Sequence, residues 1–166
     1  MAINLAAANE ILKDAVQVRE NAERIVNIFC DGRLRLDEPL TEPVLSLKCV
    51  KSLDPDPSFS FETPIGTVVA RFGFKPVVGS GYSTTGLKGQ LYFYKKAPAG
   101  MKDILIQYGF NFDDGEAIHA DPDLSADIDL LEENVGKARL FRRSVLGEVV
   151  YRLAGMVEAG FQRADS

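Results

Sequence analysis

The sequence predicts an α+β domain: an antiparallel β-meander of four to five strands flanked by long N- and C-terminal helices. Three observations carry that expectation. Near one end Ile11, Ala15, Val18, Ala22, Ile25 and Phe29 recur at helix-seam spacing, and near the other Leu146, Val149, Leu153, Met156 and Gly160 do the same. Between them lie segments in which apolar and polar residues alternate with period two, the pattern of strands with one buried face. With 166 residues the chain fits a single domain, 1–166, able to bury a core without disulfides or a structural metal.

From about Asn4 to Cys30 the chain is rich in Ala, Glu, Lys, Arg and Leu, lacks Pro and Gly, and stops at Asp31-Gly32, which predicts one long helix. Its polar residues Glu10, Asp14, Gln17, Glu20, Asn21 and Arg24 are expected on a solvated face. Between Leu34 and Pro64 five prolines loosen the chain, and within that region Val44 to Val50 alternates like an edge strand. Gly66 to Phe74, Gln90 to Lys96 and Ile104 to Phe112 read as three consecutive strands. Asp114-Gly115 is a hairpin signal, so Glu116 to His119 is expected to return as a short strand. After Asp121-Pro122-Asp123 a short helix to Asn134 is expected, with acidic residues in its first turn. A last helix then runs from about Lys137 to Phe161, with Arg139, Arg142, Arg143 and Arg152 beside its apolar seam.

Composition narrows the function classes. At 46% hydrophobic and 26% charged residues the chain is ordinary for a globular protein, and its formal charge of -5 opposes a sequence-independent grip on nucleic-acid phosphates. Cys30 and Cys49 form neither a disulfide framework nor a zinc cluster. The N-terminal residues lack the basic start of a secretory signal, and no apolar run reaches bilayer length, so a soluble cytoplasmic protein is expected.

Four stretches approach a chemical motif and fall short of it. Asp121 to Glu132 places oxygen-bearing side chains at calcium-loop spacing, but Ala126 stands where the loop's sharp turn requires Gly, and an acidic helix start explains the residues better. Gly81 to Lys88 is similar to the start of a phosphate-binding loop, yet Leu87 separates Gly86 from Lys88 and a strand follows instead of a helix. Arg71-Phe72-Gly73-Phe74-Lys75 and Tyr92-Phe93-Tyr94-Lys95-Lys96 are aromatic-basic runs of the kind that bind RNA on open sheets, but their spacing differs. His119, the sole histidine, has no evident nucleophile beside it.

The expectation is therefore a non-enzymatic protein-binding module, a small acidic adaptor, inhibitor or chaperone-like protein with no cofactor, no metal and no catalytic residues. In size, acidity and expected dimerisation it is similar to the bacterial secretion chaperones, a resemblance that no motif ties to particular residues. Nine acidic residues and no Lys or Arg lie between Asp113 and Glu133, which suits a basic protein partner. Arg71, Tyr82, Tyr92, Tyr94 and Lys96 are the candidate partner-binding residues, because Tyr and Arg dominate contact energetics. Each long helix outreaches a small sheet, so a homodimer through a long helix is expected. The alternative is a small-molecule or nucleotide-processing protein with a pocket under the Gly-rich loop 79–89.

Overall fold

The structure, a computed structural model, describes residues 5–31, 42–78, 84–112, 117–118, 128–129 and 135–164. Helix α1 (Leu5–Cys30) leads to a single 3-10 turn at Pro43–Ser46. Five strands follow: β1 (Val50–Ser52), β2 (Ser58–Thr63), β3 (Gly66–Val78), β4 (Thr84–Lys95) and β5 (Ile104–Phe112). After β6 (Ala117–Ile118) and β7 (Ile128–Asp129) the chain closes with helix α2 (Val135–Ala164). The first five strands form one sheet in the order β1-β2-β3-β4-β5, every neighbour antiparallel, and β6 pairs with β7 apart from it. The expected α+β meander is this sheet.

Several elements depart from expectation. Val44 to Val50 does not form a strand: Pro43–Ser46 makes a 3-10 turn begun by a proline, and extended pairing starts at Val50. Ser58–Thr63 is a full strand whose own Ser-Phe-Ser-Phe alternation lies between Pro57 and Pro64, so the prolines bound it without entering it. The return after β5 is the two-residue β6, which pairs with Ile128–Asp129 and does not extend the sheet. Those two β7 residues also interrupt the helix expected up to Asn134. The Gly-rich segment is shorter as a loop than 79–89, because β4 already begins at Thr84.

One sheet face carries Phe59, Phe61, Val68, Ala70, Leu91, Phe93, Ile106, Tyr108, Phe110 and Phe112, all buried. Against it α1 lays Val18, Ala22, Ile25 and Phe29, and α2 lays Phe141, Val145, Leu146, Val149 and Leu153. Both seams are thus spent largely on the sheet, with α1 resting mainly on β4 and α2 on β5. The helices meet where Phe29 stacks on Phe59 at 4.6 Å between ring centroids and tilts against Phe141 at 5.8 Å.

Two polar residues expected at the surface are buried. Asn21 is fully covered and accepts from the Gln17 amide at 3.3 Å. Arg142 is also fully covered; its Nε donates to the Phe29 carbonyl at 3.0 Å and its Nη2 to the Leu47 carbonyl at 2.7 Å. The guanidinium therefore closes the C-terminal end of α1, where carbonyls lack helical partners, and fastens it to the segment before β1. Asp14 is half-buried rather than solvated and accepts the Leu87 N–H of β4 at 3.4 Å.

Candidate functional site

The pairing register sorts the central strands into two faces. Ala70↔Phe93 and Phe72↔Leu91 point toward the helices, so the intervening pairs Val69↔Tyr94 and Arg71↔Tyr92 point the other way. On β5 the partners of Tyr94 and Tyr92 are Leu105 and Gly109. Among the described residues both helices pack on the opposite face, which leaves Ser58, Ser60, Val69, Tyr92 and Tyr94 half-buried and Glu62, Arg71 and Lys96 exposed. Four of the five sequence candidates, Arg71, Tyr92, Tyr94 and Lys96, are gathered on or beside this outer face; Tyr82 lies outside the described residues.

The side chains there are held in place. The Arg71 guanidinium lies 5.0 Å from the centre of the Tyr94 ring and forms an ion pair with Asp103. Asp103 also accepts the Ala97 N–H at 2.9 Å, so one carboxylate ties the end of β4 to the central strand β3. That backbone N–H holds the Asp103 carboxyl below the usual aspartate range against the opposing effect of desolvation, with a further, lesser lowering by the charge and hydrogen bond of Arg71. Its stabilising effect is therefore present above the unfolded-state value of about 3.9 and is lost as pH falls through the lower folded value. The stability difference between the wild type and Asp103→Asn should shrink toward zero in that acid window, measured by urea unfolding at pH 7 and pH 2.5; a difference independent of pH would contradict this.

Tyr92 sits flat because Gly109 is beneath it. A Cβ at Gly109 would lie 2.4 Å from the Tyr92 ring and 2.5 Å from the Leu91 carbonyl oxygen, both impossible approaches. The register also slips beside this point, where successive β4 residues Tyr92 and Phe93 pair with Gly109 and Ile106. The resulting bulge in β5 bends the sheet under the ring. Gly109→Ala should therefore cost about 1–3 kcal/mol in urea unfolding and displace Tyr92. Gly73→Ala, where a Cβ meets nothing within 4 Å, should be neutral or slightly stabilising. Equal effects of the two substitutions would show that the ring does not depend on Gly109.

Toward the sheet edge the outer face continues into an open groove of about 790 Å³ whose walls include Lys48, Val50, Ser60, Glu62, Val69 and Lys96. At the opposite end β3 and β4 outrun their neighbours, since β2 pairs no farther than Arg71 and β5 no farther than Gly89. The remainder is, among the described residues, a two-stranded arm, with the Leu87 N–H of β4 taken by the Asp14 carboxylate. Lys75, placed directly opposite Lys88, and Pro76 suit such an arm, because Lys and Pro on exposed edges discourage pairing with other chains.

The remaining sequence candidates are placed as follows. Gly86, Leu87 and Lys88 lie within β4, paired to Val77, Pro76 and Lys75, so they belong to a ladder and not to a phosphate-binding loop before a helix. Burial and the nearby Cys49 push the Cys30 thiol up to about 12, which keeps it protonated and a poor nucleophile at neutral pH. His119 and all but Ile128 and Asp129 of the acidic stretch 121–132 lie outside the described residues. Among the described residues no three His, Cys, Asp or Glu side chains gather as metal ligands, and no helix is long and apolar enough to cross a membrane. Sequence reasoning missed Asp103 and Gly109, the two residues that fix Arg71 and Tyr92. Neither carries a local signal, because Gly109 acts on a residue of the neighbouring strand β4 and Asp103, just before β5, on a residue of β3. No protein-family model matches the chain, and neither a curated protein nor a solved structure shows significant similarity to it.

Proposed function

We propose that the protein is a non-enzymatic binding module that docks another protein on the outer face of its sheet, as a small adaptor, inhibitor or chaperone-like protein of the cytoplasm. It works as a homodimer joined through a long helix. The observation that carries the docking face is the patch of half-buried Tyr92 and Tyr94 and exposed Arg71 on the two interior strands β3 and β4, over which neither helix packs among the described residues. Arg71 is held between Tyr94 and Asp103, and Tyr92 is seated on Gly109, so these side chains lose little further freedom when a partner covers them. Aromatic and Arg side chains presented in this way supply most of the energy of protein interfaces.

On this face Arg71 and Lys96 stand near Asp103 and Glu62, so the charges roughly cancel and affinity rests on the rings and on Val69 and Leu105. The basic partner expected from the acidic stretch would engage residues 113–133, not this patch. A benzophenone-bearing side chain at Leu105, opposite Tyr94 and 44% exposed, is expected to give one discrete protein adduct in the source cell. The same group at Tyr151 on α2, 77% exposed, should give none. The purified partner should then bind at least tenfold more weakly to Arg71→Ala/Tyr92→Ala. No adduct from Leu105, or undiminished binding by the double variant, would remove the reading.

A further inference from the structure

Helix α1 offers a surface through which the homodimer could pair. The seam visible in the sequence is used within the chain: Val18, Ala22, Ile25 and Phe29 are buried on the sheet, and Ile11 and Ala15 are half-covered. Well over a quarter-turn round the same helix a second set stands bare. Leu5, Leu12 and Val16 are 64%, 64% and 61% exposed, unusual values for three large apolar side chains on one helix.

With the exposed Asn9 these residues fall at 5, 9, 12 and 16, the alternating four-and-three spacing of a coiled-coil seam. Leu5 and Leu12 take the positions at which Leu favours two strands, and Asn9 and Val16 take the alternate positions, where a β-branched residue or a single Asn does so. The stripe ends at the next seam position. Arg19 there turns to its own chain, donating to the Pro55 carbonyl at 2.7 Å and pairing with Asp56 at 3.2 Å.

We propose that two copies of this chain pair in parallel along the Leu5–Val16 face of α1; the inference rests on the homodimer reading. Parallel pairing sets Leu5, Leu12 and Val16 each against itself and lets Asn9 hydrogen-bond to the Asn9 of the second copy. The best antiparallel register instead opposes Asn9 to Leu12 and leaves its amide buried without a partner. The seam is about 18 Å long and, with the flanking alanine and lysine stems, covers roughly 1,000 Å² over both copies. That area is near the lower bound for a specific interface, so dissociation at micromolar concentrations is expected. Because α1 is already fixed to the sheet, pairing does not have to fold the helix.

Sedimentation equilibrium of the full chain from about 5 to 200 µM tests this. The mass should rise from 18.2 kDa toward twice that value. Leu12→Glu/Val16→Glu should stay monomeric throughout, with the wild-type circular dichroism and the wild-type melting point at 5 µM. With oxidised glutathione, Asn9→Cys should form an interchain disulfide at that position, identified by peptide mass. A wild type that stays at monomer mass overturns both the seam and the homodimer reading. A dimer that survives the double substitution overturns the seam alone, and a dimer whose Asn9→Cys variant does not cross-link overturns the parallel register.

Discussion

Arg142→Met is expected to lower the unfolding free energy by about 3 kcal/mol, roughly a 10 °C fall in melting temperature for a chain of this size. The guanidinium is fully buried and donates to two main-chain carbonyls, Phe29 at the end of α1 and Leu47 before β1. A bond from a charged donor contributes about 1.5–3 kcal/mol, and removing the donor strips a partner from the carbonyl of fully buried Phe29 and from that of half-buried Leu47. Methionine fills much of the volume, so the loss reports the bonds more than a cavity. Arg142→Lys should recover only part of it, because an ammonium is a point donor and does not reproduce the planar fork that spans both carbonyls. Arg143→Met, one residue along, should cost under about 1 kcal/mol, since that side chain is exposed and pairs with Glu42 on the surface. Chemical denaturation of the three variants decides the matter. An Arg142→Met loss no larger than that of Arg143→Met would mean that the two carbonyls are satisfied without the guanidinium.

Phe29→Ala should cost about 3–5 kcal/mol. Its ring joins α1, β2 and α2, stacked on Phe59 at 4.6 Å and tilted on Phe141 at 5.8 Å. Deleting it removes a fully buried side chain and leaves a cavity that neither rigid neighbour can fill, because Phe59 is also held edge-on by Phe93 at 5.9 Å. Phe74→Ala makes the comparison: that ring stands on the projecting β3–β4 arm, 42% exposed, and should cost far less. Similar losses from the two substitutions would show that the junction does not organise the fold.

The fold was legible wherever one periodicity ran uninterrupted. The two terminal helices and β3 to β5 were visible because each buries one continuous face, and burial imposes its spacing on the sequence. Ser58–Thr63 carried the same alternation but was obscured by Pro55, Pro57 and Pro64, which merely flank it. Val44–Val50 carried alternation without a strand, because apolar spacing over a few residues does not distinguish a 3-10 turn from a ladder. Of the candidate site, parity along β3 and β4 was enough to place Arg71, Tyr92 and Tyr94 on one face. It was not enough to find Asp103 or Gly109, whose roles depend on which residues of other strands the fold brings to them.

The sequence by itself determined which segments are helix and strand over most of the chain and which side of each strand is apolar, since those follow from local spacing and side-chain chemistry. Only the tertiary structure decided which polar residues leave water, as Asn21 and Arg142 do, and which apolar residues stay in it, as Leu5, Leu12 and Val16 do. Both outcomes are set by where one element ends against another. A buried guanidinium is tolerated because two carbonyls from distant segments happen to converge on it, and a bare leucine remains where the helix has no sheet beneath that side.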